Sequence, residues 1–343
     1  MKRLAIVLIW ISWLAALVQF AFNVRAHGQT FGDQAAADDN RKWLQDCADA
    51  KLPIHLKGKT LYVRGTVTFP PVVGCGRIIT LGATGDSVGE HPTLNGLRTK
   101  IVQLGKGPIF RLAGAGFVGG DPLELVGDNE SAAVEIEGRL APATGRHEFR
   151  NWVFRDWAQG VKTLAGYYQG GKFIPCEAHA DNSRLVACET FNCRCLLELN
   201  NQQSLNWVCE DCRVNGLGSP NYQRHVVVRA NRGGCVQVIR PIIEEWQCTM
   251  FEARDYSHNN ARLVVHDLFY DTMLAEQHGF RIFDYTGRPQ DANFADWSVI
   301  GDGWIGMRPG KPEDLYSAPA DLPKWRWKFN FNYAGEKQPP KPK

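Results

Sequence analysis

The chain has 343 residues, of which 44% are hydrophobic and 22% charged, and its formal net charge is +3 at neutral pH. This apolar content excludes a disordered chain, and the small net charge excludes the strongly basic field of a nucleic-acid-binding protein. No nucleic-acid partner is therefore expected.

Residues 1–26 have the pattern of a secretory signal peptide. Lys2 and Arg3 precede an apolar run over residues 4–22, and Ala26 supplies a small residue at a cleavage point. Loss of Lys2, Arg3 and Arg25 takes the formal charge from +3 to zero. We expect a protein that is secreted, periplasmic or on the cell surface, with no stable membrane insertion after cleavage. The alternative is an uncleaved anchor, because the run is long enough to cross a bilayer.

Residues 27–51 are predicted to form a polar linker and then a capping helix. Asp38, Asp39 and Asn40 are good N-cap residues for a helix that ends near Ala50. One face of this helix carries apolar or small side chains, namely Trp43, Leu44, Cys47 and Ala48. An amphipathic helix in this place is suited to cover the open end of a stack of strands.

Short strands are predicted throughout residues 52–290. They alternate polar and apolar residues, are rich in β-branched residues and end at Gly or Pro. Before the central repeat they cover residues 52–56, 59–63, 66–71, 78–81, 101–104, 109–112, 133–136 and 148–154. Residues 82–100 are predicted to loop out. The glycines of residues 105–120 are interpreted as turns, not as a phosphate loop, because no long helix follows them.

Residues 181–285 repeat one unit, which consists of two strands and a looser return. Alignment of Cys188, Cys209, Arg240 and His266 gives spacings of 21, 31 and 26 residues. A period in the twenties with insertions is typical of a solenoid of strands. The period is predicted to fail after Tyr285, so residues 291–343 are assigned to an irregular C-terminal cap and a disordered tail.

The opening of this strand region resembles that of the pectate-lyase superfamily. The resemblance is carried by the Asp38-Asp39 start, the amphipathic helix, a Gly-containing strand pair and the Pro70-Pro71 end; over residues 101–285 it extends only to the style of the repeat. It implies a right-handed parallel β-helix. We therefore predict an all-β chain with one such solenoid domain, a short N-terminal capping helix and an irregular C-terminal cap. The resemblance further implies an exported polysaccharide lyase that acts on an acidic polysaccharide by β-elimination.

Strand alternation predicts which side chains of the repeat point outward. In the sheet of first strands, Leu197, Val228, Phe251 and Ile282 are predicted to point inward. The predicted outward column is Glu198, Arg229, Glu252 and Phe283, and two positions further on it is Asn200, Asn231, Arg254 and Tyr285.

These outward residues are the candidate site. Abstraction of a proton beside a uronate carboxylate needs a base and a cation that neutralises the carboxylate. In the enzymes that this chain resembles, arginine or lysine often is the base and calcium is the cation. The resemblance thus implies Arg229 or Arg254 as the catalytic base, with Asn200, Asn231 and Tyr285 in contact with substrate. Calcium would be bound by Glu198, Glu252 and Asp255.

Three alternatives remain open from the sequence. The outward charges can form an inert ladder, and a non-catalytic glycan-binding or surface β-helix needs only the fold. A glycoside hydrolase on the same fold would need two carboxylates across the scissile bond, and Ser257-His258-Asn259 lacks the glycine of the hydrolase pattern. The oligomeric state is not determined by the sequence.

The chain has ten cysteines, most of which fall inside the predicted strands. Buried thiols are favoured over a disulfide between Cys188 and Cys209, which would share a column, and over zinc bound at Cys209 and Cys212. A copper site at His27, the new N-terminus after cleavage, has no supporting fold pattern.

Overall fold

A computed structural model describes most of the chain between residues 32 and 333. The described residues are 32–57, 60–81, 99–120, 122–139, 144–176, 180–201, 204–215, 225–232, 234–244, 248–253, 262–270, 280–285, 298–305, 316–317 and 327–333. The predicted signal peptide, residues 82–98 of the predicted loop, Arg254, Asp255 and the predicted C-terminal tail lie outside them. Within these ranges no helix is long and apolar enough to cross a membrane.

Helix α1 spans Ala37–Asp49 and packs against the first strands. Its N-cap is Ala36, which makes no side-chain cap, so the predicted capping by Asp38 and Asp39 is wrong. Those acids instead lie in the first helical turn, where negative charge favours the helix dipole. Asn40 Nδ2 donates to the Tyr62 carbonyl at 3.0 Å, and Gln45 exchanges hydrogen bonds with the Thr68 backbone. The helix therefore covers an edge of the first coil.

The remaining elements are strands, and they form a parallel solenoid, which confirms the predicted fold class. They are β1 Ile54–Lys57, β2 Thr60–Val63, β3 Val67–Phe69, β4 Ile78–Leu81, β5 Thr99–Gln103, β6 Phe110–Leu112, β7 Leu123–Val126, β8 Ala132–Ile136, β9 Glu148–Arg150, β10 Trp152–Arg155, β11 Gln159–Thr163, β12 Gly166–Gln169, β13 Lys172–Pro175, β14 Arg184–Val186, β15 Glu189–Phe191, β16 Cys195–Leu199, β17 Trp207–Glu210, β18 Arg213–Asn215, β19 His225–Ala230, β20 Cys235–Ile239, β21 Ile242–Ile243, β22 Cys248–Ala253, β23 Arg262–Tyr270, β24 Arg281–Tyr285, β25 Ser298–Ile305, β26 Tyr316–Ser317 and β27 Trp327–Tyr333.

Successive coils stack these strands into three parallel faces. Face A contains β1, β4, β9, β14, β17, β20 and the first part of β23. Face B contains β2, β5, β7, β10, β15, β18, β21 and the last part of β23. Face C contains β3, β6, β8, β11, β16, β19, β22, β24 and β26. The looser return expected in each repeat is therefore a strand as well, since it forms face B.

The solenoid extends further than the sequence predicts. After Tyr285, where the repeat was expected to end, β25 pairs in parallel with β23 and β27 pairs in parallel with β25. The first part of each of these strands extends face A, and its last part extends face B. The low apolar alternation and the glycines of residues 298–305 hide this continuation from a pattern search.

Faces A and B meet at one residue per coil, and that residue has left-handed backbone geometry. In successive coils these residues are Asn151, Ala187, Asp211, Arg240 and Asp267, with φ between 49° and 53°. Each of the first four donates its backbone N–H to a carbonyl of the following coil, at 2.8–2.9 Å. The predicted strand 148–154 is consequently split at Asn151. Asn and Asp tolerate this geometry better than other side chains do.

The corner also corrects the predicted alignment of the repeats. Face A pairs Leu185 with Cys209, Cys209 with Val238 and Val238 with Val265. Cys188 lies beyond the corner at Ala187, so Cys188 and Cys209 do not share a column. The counterpart of Cys188 is Cys212, which follows the corner at Asp211.

The interior is filled by inward columns and by an aromatic cluster. On face C one inward column runs through Phe110, Val134, Val161, Leu197, Val228, Phe251 and Phe283. Trp152 packs edge-to-face on Phe149, with ring centroids 5.1 Å apart, and its indole donates to the Gly120 carbonyl. A Cβ at Gly119 would lie 2.6 Å from the Trp152 ring, so only glycine fits there.

Candidate functional site

The outward column of face C is a ladder of charges, one from each successive coil. The register joins seven ionisable residues, which we call the charge ladder: Arg111, Glu135, Lys162, Glu198, Arg229, Glu252 and Asp284. The signs alternate as far as Glu252. Neighbouring strands lie about 4.8 Å apart, so opposite charges on them are within reach of each other.

Arg229 is held between two carboxylates in the centre of this ladder. Its Nη1 lies 3.1 Å from Glu198 Oε2, and its Nε lies 2.6 Å from Glu252 Oε1. The exposed fractions are only 3% for Arg229 and 6% for each glutamate. The predicted column of Glu198, Arg229 and Glu252 is therefore confirmed, but its side chains are not open to a large ligand.

The electrostatics of the ladder stabilise the charged forms of Arg229 and Glu198. Burial alone would lower the pKa of Arg229, but the neighbouring acidic groups, Glu252 and Glu198 among them, raise it above its usual value. Burial acts to raise the pKa of Glu198, but the Asn200 hydrogen bond and two cationic neighbours outweigh it and lower the pKa. A general base must be able to lose its own proton first. Arg229 is thus held as a cation and is poorly suited to be a base.

The last coil corrects the predicted register by one residue. Asp284, not Phe283, lies next to Glu252, and Phe283 pairs with Phe251 in the inward column. Tyr285 pairs with Ala253 and belongs to the buried core, with an exposed fraction of 7%. Its predicted place in an outward column is wrong. Arg281 contacts Asp284 at 3.1 Å and offsets the two adjacent acids.

Asn200 and Asn231 form an amide stack beside the ladder, as their predicted common column requires. Asn231 Nδ2 donates to Asn200 Oδ1 at 2.7 Å, and Asn200 Nδ2 donates to Glu198 Oε1 at 3.0 Å. Both side chains are half-buried. Their predicted contact with substrate stays a prediction.

The proposed calcium ligands are only partly described. Glu198 and Glu252 are both bound by the guanidinium that lies between them, whereas Asp255 and Arg254 are outside the described residues. In the part of the chain that the structure describes, no three or more His, Cys, Asp or Glu side chains form a group that could hold a metal ion.

All ten cysteines are described, none of them is in a disulfide, and nine of them are buried. Cys188 Sγ contacts the Phe149 carbonyl and Cys212 Sγ contacts the Leu185 carbonyl, both at 3.5 Å. Each of these two thiols thus contacts a backbone carbonyl of the preceding coil. Burial raises the pKa of Cys193 and that of Cys195 to about 12, which keeps these thiols protonated and unreactive.

Face B carries a surface feature that sequence reasoning missed. Ile242, Phe269 and Trp304 lie in one outward column on three successive coils, and we call them the aromatic platform. The Phe269 and Trp304 rings are stacked, with centroids 5.1 Å apart and planes 19° apart. Exposed fractions are 37% for Ile242 and 44% for Phe269. The sequence did not reveal this column because β21 was not predicted and Trp304 was assigned to an irregular cap.

A hairpin of β12 and β13 projects after the fourth strand of face C. Its Tyr168 and Phe173 rings are exposed and pack edge-to-face, with centroids 5.4 Å apart. Arg139 lies over the Tyr167 ring at 4.7 Å. This hairpin provides exposed aromatic residues remote in sequence from the platform.

Comparison with protein-family models, with curated proteins and with solved structures finds no match to this chain. The solenoid is therefore established by its own strand pairing. Membership in the pectate-lyase superfamily stays an expectation that rests on the resemblance of residues 38–71.

Proposed function

We propose that this exported protein is a polysaccharide-binding β-solenoid without catalytic activity, and that its aromatic platform contacts the sugar rings. The observation that carries the proposal is the stacking of the Phe269 ring, which is 44% exposed, on the half-buried Trp304 ring. Exposed apolar side chains grouped on one face indicate an interaction site more than scattered ones do.

The chemistry of the platform suits a sugar ring. The two rings turn one face to each other, so a ligand would contact the remaining apolar surface of the stack, which can pack against the apolar C–H groups of a pyranose. Stacked rings on adjacent parallel strands repeat along the solenoid axis, so they offer an extended ligand successive contacts. The strands fix both side chains to a rigid sheet, which limits the entropy lost on binding.

A polysaccharide lyase that acts by β-elimination on an acidic polysaccharide is the second candidate. It is favoured by the placement of an arginine between two carboxylates on face C. Because Arg229 is held as a cation, this reaction would depend on Arg254 as the base, with Asp255 as a calcium ligand. A hydrolase is less suited, since Glu198 and Glu252 are both engaged by Arg229.

The test replaces platform residues and measures binding to glycans. Trp304→Ala and Phe269→Ala are expected to weaken binding to the best-bound glycan at least tenfold, since buried aromatic contacts at the centre of a site contribute about 2 kcal/mol or more. Affinity electrophoresis over a panel of soluble polysaccharides gives the affinities. Tyr168→Ala, which removes a more exposed ring on the hairpin, is the control and should bind as the wild type does.

Two results would count against the proposal. Equal affinity of wild type and Trp304→Ala, with both proteins folded by circular dichroism, would remove the platform from the site. Release of unsaturated products from a polyuronate, read as ultraviolet absorbance, would instead establish the lyase. Loss of that absorbance in Arg254→Ala but not in Arg229→Ala would identify the base.

A further inference from the structure

We infer that the polysaccharide bound by the aromatic platform is uncharged, and this inference rests on the proposed function. The resemblance to lyases implied an acidic polysaccharide. The charges that surround the platform point to a different class of ligand.

Carboxylates outnumber cations around the platform. Arg213 precedes Ile242 in the same outward column, but it forms a two-pronged contact with Glu244 and lies 3.8 Å from Glu189. On the other side, Asp302 accepts hydrogen bonds from the Asp267 backbone N–H and from the ring of His266. Arg240, the corner residue two positions before Ile242, is likewise paired with Glu210 and Asp211. The described charged groups around the platform, apart from His266, are thus six carboxylates and two guanidiniums: Glu189, Glu210, Asp211, Glu244, Asp267, Asp302, Arg213 and Arg240.

This field opposes a polyuronate. Each of the two guanidiniums already has two carboxylate partners, so it has little charge left for a ligand. Each uronate carboxylate would approach a net negative surface within the Debye length of about 8–10 Å, where screening is incomplete. Like charges placed together at a binding surface are a common means of rejecting a ligand.

The polar groups next to the rings instead suit hydroxyl groups. Asn332 lies in register with Trp304, and Asn330 lies in register with Asp302; both asparagines are exposed. An amide donates and accepts hydrogen bonds, and a carboxylate accepts them from a hydroxyl. Stacking rings bordered by amides and acids can therefore bind a neutral sugar without an ionic contact.

The experiment compares neutral and acidic glycans of similar length on the full chain. Cello-oligosaccharides and a neutral galactan are the uncharged probes, and oligogalacturonate is the acidic probe. Calorimetry at about 50 mM and about 300 mM NaCl separates ionic from non-ionic binding, since salt weakens only the former. We expect a neutral probe to bind at least tenfold more tightly than oligogalacturonate, with an affinity that does not fall with salt.

A charge variant tests the physical cause. Glu244→Gln removes one acid and frees part of the Arg213 charge, so the ratio of oligogalacturonate affinity to neutral-glycan affinity should rise at least threefold at low salt. Glu130→Gln is the matched control, because Glu130 is an exposed acid paired with Lys106 outside this region and should leave the ratio unchanged.

The outcomes separate this inference from the function on which it rests. Tighter, salt-sensitive binding of oligogalacturonate that is lost in Trp304→Ala would overturn the inference but leave the platform as the site. Binding of no glycan would overturn the proposed function and the inference with it.

Discussion

Arg229 shows how a residue can match a functional pattern and have a structural role. Its guanidinium joins carboxylates from the coil before and the coil after, at 3.1 and 2.6 Å. A buried charge is costly unless it is paired, and a one-residue slip between these coils would leave all three groups unpaired. The ladder therefore favours one register of face C.

His147 gives the clearest pH dependence at the scale of single residues. Burial lowers its pKa from 6.5 to about 4, and a backbone hydrogen bond near Thr144 only partly opposes this. As the pH falls below about 6.5, the unfolded state binds a proton that native His147 does not, so stability decreases until about pH 4. The loss attributable to this group is about 3 kcal/mol.

The check is urea unfolding of wild type and His147→Asn between pH 7 and pH 4. Asparagine keeps a side-chain acceptor for the Phe117 N–H, which now bonds to the ring at 3.3 Å, but it does not titrate. The variant should lose about 3 kcal/mol less than the wild type over this range. Parallel stability curves for the two proteins would show that His147 is not responsible.

At the scale of the element, the corners between faces A and B determine how the strands line up. Asn151, Asp211 and Asp267 are residue types that favour left-handed geometry, whereas Ala187 and Arg240 are not. Because the five corner positions carry different types of residue, the sequence shows no common corner motif. Only the stack of corners across coils shows that all five positions are equivalent.

Ala187 is consequently a strained position that can be relieved. Left-handed geometry costs alanine about 1–2 kcal/mol, and glycine loses about 0.5–1 kcal/mol of chain entropy on folding. We expect Ala187→Gly to raise the free energy of unfolding by about 0.5–1 kcal/mol, as measured by urea unfolding. Val186→Gly, one residue earlier within β14, is the control and should destabilise the protein. A loss of stability in Ala187→Gly would contradict the proposed strain.

At the scale of the whole molecule, the stack of coils buries its thiols without joining them. Nine of the ten cysteines are buried and none is in a disulfide. Regular parallel pairing accounts for the cohesion of the coils, so covalent links are not needed to hold adjacent strands together.

Thiol titration checks this arrangement. Without reductant, the native protein is expected to react at no more than Cys235, the one half-exposed cysteine, and all ten should react in denaturant. Fewer than ten reactive thiols in denaturant, restored to ten by reductant, would mean that disulfides form. The buried-thiol interpretation would then be wrong.

The sequence by itself determined the class of fold and much of its outward charge. Alternation, β-branched residues and a period in the twenties suffice to predict a solenoid of strands, because each can be read along the chain. They also place Glu198, Arg229 and Glu252 in one column, since those coils differ little in pattern. The same reasoning gave the wrong register at Phe283, missed the corner at Asn151 and ended the solenoid too early, at Tyr285.

Only the tertiary structure decided which residues share a column beyond those three, and therefore which surface can bind. Register between coils depends on the length of each loop and on where each corner turns, and neither is visible in a single strand. That register places Arg229 between two acids, where it is buried and charged, and it stacks the Phe269 ring on Trp304 at the surface.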